Sequence, residues 1–259
     1  MTSPAPTSGT GPTRPAPPAR RVLAQAAFET RTLLGNGEQL LVAVVLPALA
    51  LIALHLTDVP DLGPGSRTDL ATAGVLGLAV VSTAFTGQAI QTGFDRRYGV
   101  LRLLGTTPLG RDGLLLAKML AVAVVLAVQV VLLSVLALAL GWWPELAALP
   151  GAVLTLALGG AAFVALALVL AGTMRAEAVL AVANLLWVLL LGAGGLVLSA
   201  DQMPDAVGGL VRWLPSAALG DALRAGLVDG VVPWREWGLL ALWALGLGAL
   251  AARTFRWDD

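Results

Sequence analysis

The apolar residues of this chain fall into long blocks rather than alternating with polar ones. Runs without charge in their interiors occupy 40–56, 70–93, 113–140, 148–174, 178–199 and 237–254. A hydrocarbon core of roughly 30 Å takes about 20 helical residues, so these blocks predict about six transmembrane helices. A membrane β-barrel would need strands of about ten residues with alternating apolar positions, and the blocks do not alternate. The expected fold class is therefore all-α, a polytopic membrane helical bundle. Pro47 falls inside the first block and should bend it, with a neighbouring helix satisfying the backbone carbonyl that a proline frees.

The segments between the blocks divide the chain further. Residues 1–19, rich in Pro, Thr, Ser and Ala, hold too few large apolar groups to support a core and read as a disordered tail. The first long apolar run begins near Leu40, too late for a signal peptide, so no cleavage is expected. Residues 20–37 carry Leu23, Ala26, Ala27, Thr30, Leu33 and Leu34 at helical spacing, which predicts an N-terminal interfacial helix on the membrane surface. The remainder, 38–259, forms the membrane domain, with two loops larger than a connection needs. One, 94–113, is basic with Val100, Leu101, Leu103 and Leu104 forming a leucine-rich face; it predicts a short helix lying against something. The other, 200–236, reads as an outer hairpin of two short apolar helices broken at Pro215.

Charge decides orientation. Of 259 residues, 58% are hydrophobic and 12% charged, about half the charged share of a soluble domain. The 16 basic and 16 acidic residues cancel, so no whole-chain field favours nucleic acid. With a cytoplasmic N-terminus, the inner side holds Arg14, Arg20, Arg21, Arg31, Arg96, Arg97, Arg102, Arg111, Lys118, Arg175, Arg253 and Arg256. Only Arg67, Arg212, Arg224 and Arg235 lie outside. That imbalance places both termini in the cytoplasm. Trp142, Trp143, Trp213, Trp234 and Trp237 mark the outer interface and Trp257 the inner one.

Several chemistries find no support. GTTPLGRD at 105–112 has the glycine spacing of a phosphate loop, but Arg111 and Asp112 replace the required Lys and Ser/Thr, and a turn between helices explains it better. Asp58 with Asp61 and Asp201 with Asp205 have magnesium-binding spacing, yet both pairs fall on the outer side without a basic cluster. His55 is the single histidine, there is no cysteine, and no G-x-S-x-G elbow occurs, so neither a catalytic triad nor a metal site is expected. No block carries an ionisable residue near its centre, as proton or sodium coupling would favour. Ser82, Thr83, Thr86, Gln88, Gln91, Gln129 and Asn184 supply neutral polarity instead. Small residues such as Ala73 with Gly77, or Ala244 with Gly248 and Ala252, read as ordinary bundle packing.

A surface helix, two spans, a basic helical loop, three spans, an outer hairpin and a final span resemble the type-2 ABC transporter permease family. That family includes the daunorubicin-resistance and polysaccharide export permeases. The resemblance rests on DRRYGVLRLLGTTPLGRDGLLLAK at 95–118: the stretch Asp95, Arg96, Arg97, then Gly99, Leu101, Leu103, Leu104, Thr107, Pro108, Leu109 and Lys118. It rests also on WLPSAALGDALRAGL from Trp213 to Leu227. The family often has Glu-Arg-Glu where this chain has Asp-Arg-Arg. The resemblance implies a cell-membrane permease subunit of an exporter with no nucleotide site and no cofactor of its own, ATP and magnesium belonging to a separate ABC ATPase subunit. It implies a homodimer, or a heterodimer with a related permease, surrounded by membrane lipid. Its substrate would be hydrophobic or amphipathic: drug-like, lipid or polysaccharide, with antibiotic resistance as one role. Arg96, Arg97, Leu101, Arg102, Leu104 and Pro108 would couple to the ATPase, with the N-terminal helix bracing that loop. Gln88, Gln91 and Asn184 would line a path between the second and fifth spans, although hydrogen bonding between helices explains each equally well. A membrane enzyme acting on lipid-linked substrates and a non-transporting assembly subunit share the same topology.

Overall fold

The computed structural model describes residues 16–35, 37 and 41–255, without the side chains of Val42 and Arg111; it is helical throughout, with no strand among the described residues. Most of the expected tail, the inner-side Arg14 and Arg256, and Trp257 lie outside the described residues.

The helices begin and end where local chemistry dictates. α1 (Pro18–Gly35) opens on a proline and closes on a glycine. The first span is a π-helical turn, Leu41–Val45, running into α2 (Leu46–Leu56). Pro47 near the start of α2 has no amide hydrogen for the carbonyl of Ala43, four residues earlier. The side-chain amide of Gln129 donates to that oxygen instead, as the proline predicts. The second span is continuous over Arg67–Arg97, 31 residues, and is almost wholly enclosed by the rest of the chain. It consists of α3 (Arg67–Val80), a π-helical segment Val81–Gly87, and α4 (Gln88–Arg97). Ser66 caps α3 by accepting from the Asp69 amide.

A six-residue helix, α5 (Val100–Gly105), follows. Then come α6 (Gly110–Ala139), α7 (Leu149–Thr173) and α8 (Ala176–Ala193). Two short helices follow, α9 (Asp205–Val211) and α10 (Pro215–Leu227), the second opening on Pro215, and α11 (Trp234–Thr254) closes the fold. Among the described residues, five helices are long and apolar enough to cross a bilayer, and the shorter apolar helix Ala43–Leu56 corresponds to the first block.

The fifth span ends six residues before its expected boundary. Helix α8 stops at Ala193, where Gly195 takes φ +76°, a conformation open to glycine. The chain can stop there because buried donors meet the freed carbonyls: Ser216 donates to Gly194, and Arg224 to Gly195 and Leu196. The core lies around the enclosed second span. Phe85 of its π segment faces Phe163 of α7 with ring centroids 6.2 Å apart, both fully buried.

The N-terminal helix packs against the start of the third span. Val22 lies beside Gly113, Glu29 beside Lys118, and Leu33 against Ala121 and Val125, so α1 runs along the first four turns of α6. The cause is its buried face: Ala26, Glu29 and Leu33 recur on one side, Leu33 packing on α6 and Glu29 meeting Lys118 of α6 and Gln91 of α4.

Candidate coupling end of the bundle

At the end of the bundle where α4 finishes, three consecutive side chains reach three different elements. The Asp95 carboxylate lies 2.6 Å from Lys118 Nζ of α6. Arg96 is buried and donates to the carbonyls of Ala171, 2.7 Å away, and Met174, 2.5 Å away, at the C-terminal end of α7. Arg97 pairs with Glu177 in the first turn of α8.

The helical register dictates this fan, since successive residues on a helix point about 100° apart. A helix leaves its last four carbonyls without internal partners, and a guanidinium there meets both the hydrogen-bond deficit and the partial negative charge. The exposed Arg97–Glu177 pair contributes little, about 0–1 kcal/mol for solvated ion pairs.

Lys118 also binds α1. Its ammonium lies 3.2 Å from Glu29, whose carboxylate further accepts from Gln25 and Gln91. Lys118 and Glu29 are both buried. One ammonium thus joins α1, α4 and α6, and a buried charge of this kind is sustained only while its partners remain in place.

Two residues after Arg97 the chain turns. Gly99 at φ +70° separates α4 from α5, and Gly110 at φ +72° separates the following turn from α6. Between these glycines α5 presents two unlike faces. Leu101 is fully buried against the bundle, whereas Leu103 is 69% exposed and Val100 and Arg102 are exposed with it; Tyr98, just before Gly99, is 71% exposed, and Pro108, after the helix, is exposed too. Tyr98 stacks on Phe94 and lies under the Arg97 guanidinium, which fixes its ring at the surface.

Comparison with protein-family models matches residues 41–253, most of the chain, to the ABC-2 family transporter proteins. The chain belongs to the ABC-2 transporter family. Together with its apolar helices this makes it a multi-pass membrane protein and a permease subunit. A search of curated proteins finds no match.

In this ABC-2 permease the residues singled out for coupling divide by burial. Arg97, Arg102 and Pro108 are exposed and Leu104 is half-buried, so these four reach the surface at this end of the bundle. Arg96 and Leu101 face inward, the first onto α7 and the second under α5, and so act within the chain. Exposed Tyr98 and Leu103 complete the outer face; Tyr98 carries no signal beyond its aromatic ring beside basic residues.

The three polar path candidates are not brought together. Gln88 is buried and donates to Thr92 one turn along its own helix, and Gln91 donates to Glu29 in the ion cluster. Asn184 is exposed on α8, its amide returned to the Leu180 carbonyl, in a face of Leu180, Leu185 and Val188.

At the opposite end of this permease, Arg224 of α10 also receives Asp221 at 2.7 Å. Burial pushes the Asp221 carboxyl above its ordinary range, and the neighbouring guanidinium offsets part of that rise. One aspartate of each sequence pair is engaged: Asp61 accepts from the Gly63 amide, and Asp201 pairs with Arg212.

Proposed function

We propose that this chain is the membrane-spanning subunit of an ATP-driven exporter, with α5 docking onto a separate ABC ATPase that supplies nucleotide and magnesium. One observation carries the reading: a short helix held between two left-handed glycines turns Val100 and Leu103 outward, with Tyr98 exposed just before it and Arg97 and Arg102 exposed alongside. An apolar centre with a basic rim is the pattern of a docking piece, the centre supplying buried contact and the rim steering towards acidic groups. This end is cytoplasmic on the charge count, and both termini lie on that side. The cargo of this proposal is a hydrophobic or amphipathic substrate, drug-like, lipid or polysaccharide, moved outward; the scarcity of charge in the spans supports an apolar cargo.

The functional unit is a pair of permeases, identical or related. Asn184 supports this, because an amide on an otherwise apolar membrane face is costly in lipid and serves better against a second helix or in a polar path.

The test is affinity capture of the detergent-solubilised protein from its native membrane, followed by ATPase assay, comparing the unmodified chain with a Tyr98→Ala, Leu103→Asp double variant. Capture of an ATP-hydrolysing subunit that is lost from the folded variant supports the reading. Absence of such a subunit from both sinks it.

A further inference from the structure

We infer that Asp95-Arg96-Arg97 is a rigid joint transmitting displacement of α5 to α7 and α8, with Arg96 as its principal positioning residue. The inference rests on the docking role of α5 and goes beyond it, by saying where a push on that helix goes.

Only Tyr98 and Gly99 separate the joint from α5. Arg96 is buried, and its two nitrogens hold two carbonyls three residues apart, Ala171 and Met174, which fixes both the position and the tilt of the end of α7. The connection from α7 to α8 consists of Met174 and Arg175 alone, so α8 follows the end of α7. Contact beside the joint is close: a methyl group added at Gly93 of α4 would stand 3.4 Å from Val179, which is fully buried in α8. Asp95, on the third side, ties the joint through Lys118 to α6 and α1. A displacement entering at α5 thus meets a strut linked to α6, α7 and α8, and the outer face of α8 is the one that carries Asn184.

A lysine at position 96 would keep the charge but lose the planar fork that holds two acceptors at once. The chain contains no cysteine, so pairs of nitroxide labels can be introduced without background.

Two measurements decide the matter. In the first, labels at Thr106→Cys and Arg175→Cys, both exposed, report the distance between the α5 loop and the α7–α8 turn in the purified permease alone. A narrow distribution is expected in the otherwise unmodified chain and a broadened one in Arg96→Lys and Arg96→Gln. In the second, labels at Leu132→Cys in α6 and Leu185→Cys in α8 follow the complex with its ATPase on adding a non-hydrolysable ATP analogue. The analogue should shift this distance in the parent, and the shift should be lost in the Arg96 variants although the ATPase remains bound and active. Should the Arg96 variants fail to fold, the exposed pair serves in the first measurement, where no ATPase is present: Arg97→Glu should broaden the distance and Arg97→Glu with Glu177→Arg narrow it again. An unbroadened first distance, or a shift that survives in all variants, overturns the joint. If the unmodified chain captures no ATPase, the docking role fails by itself, and the first measurement still decides whether the strut is rigid.

Discussion

Gln129 of α6 donates its side-chain amide to the backbone carbonyl of Ala43, while its side-chain oxygen accepts from Thr83 at 2.7 Å. One buried glutamine therefore serves both π-helical segments of the fold, Leu41–Val45 and Val81–Gly87. Such segments mark places where a helix departs from its regular register. Removing the amide with Gln129→Leu should cost about 1–3 kcal/mol, the penalty for a buried polar group left unmet. In a Pro47→Ala background the helix regains its own amide hydrogen, and the same substitution should cost distinctly less. A double-mutant cycle on detergent-induced unfolding checks this; equal costs in both backgrounds would show that Gln129 does not stand in for the missing proline donor.

Lys118 holds two carboxylates, Asp95 and Glu29, in a buried site. Lys118→Met should therefore be among the most damaging single changes in the chain, about 3–5 kcal/mol, because it strands buried negative charge. Adding Glu29→Gln and Asp95→Asn removes that charge and should recover most of the loss. The unfolding midpoints of the single and triple variants provide the measurement. A triple variant no better than Lys118→Met would mean that packing rather than charge dominates there.

How much of this was legible beforehand depended on the range of the interaction. The apolar blocks revealed the spans because lipid demands a local property, a long uncharged run, and Pro47 announced an acceptor in need of a donor. Which donor would come was not legible, since Gln129 lies far along the chain. The same holds for Lys118, whose partners are brought from α1 and α4 by packing, and for Arg96, whose charge resembled that of Arg97 although one is buried and the other exposed. On α5, the apolar positions Val100, Leu101, Leu103 and Leu104 pass around most of a six-residue helix, so spacing could not say which leucine faced the bundle. The early end of α8 was hidden for a similar reason: Leu196, Val197 and Leu198 continue the apolar run, and only Ser216 and Arg224 make a break in it tolerable.

The two leucines of α5 should separate stability from docking. Leu101 is fully buried, so Leu101→Ala should cost about 2–5 kcal/mol as a core truncation. Leu103, largely exposed, should tolerate Leu103→Asp within about 0.5 kcal/mol, as surface changes do. The second variant should nonetheless be the one that loses its ATPase at native stability. Unfolding curves and capture assays on the same preparations distinguish the two, and a Leu103→Asp protein that retains the subunit would remove that residue from the docking face.

At the far end of the bundle, Gly220 and Arg224 lie one turn apart on α10 and face the same carbonyls. A methyl group at Gly220 would come 2.7 Å from the Gly195 oxygen and 2.8 Å from that of Leu196, the two acceptors of Arg224. Backbone cannot give way as a flexible side chain can, so Gly220→Ala must push α10 from the end of α8 and pull Arg224 out of reach. Arg224→Ala should cost about 3 kcal/mol, the low end for a broken buried pair, because Asp221 keeps some contact with solvent. Gly220→Ala removes the same hydrogen bonds by a different route, so the double variant should lose much less than the sum of the two single losses. Additive costs would mean that the glycine is needed for packing alone and that Arg224 keeps its hold without the close approach.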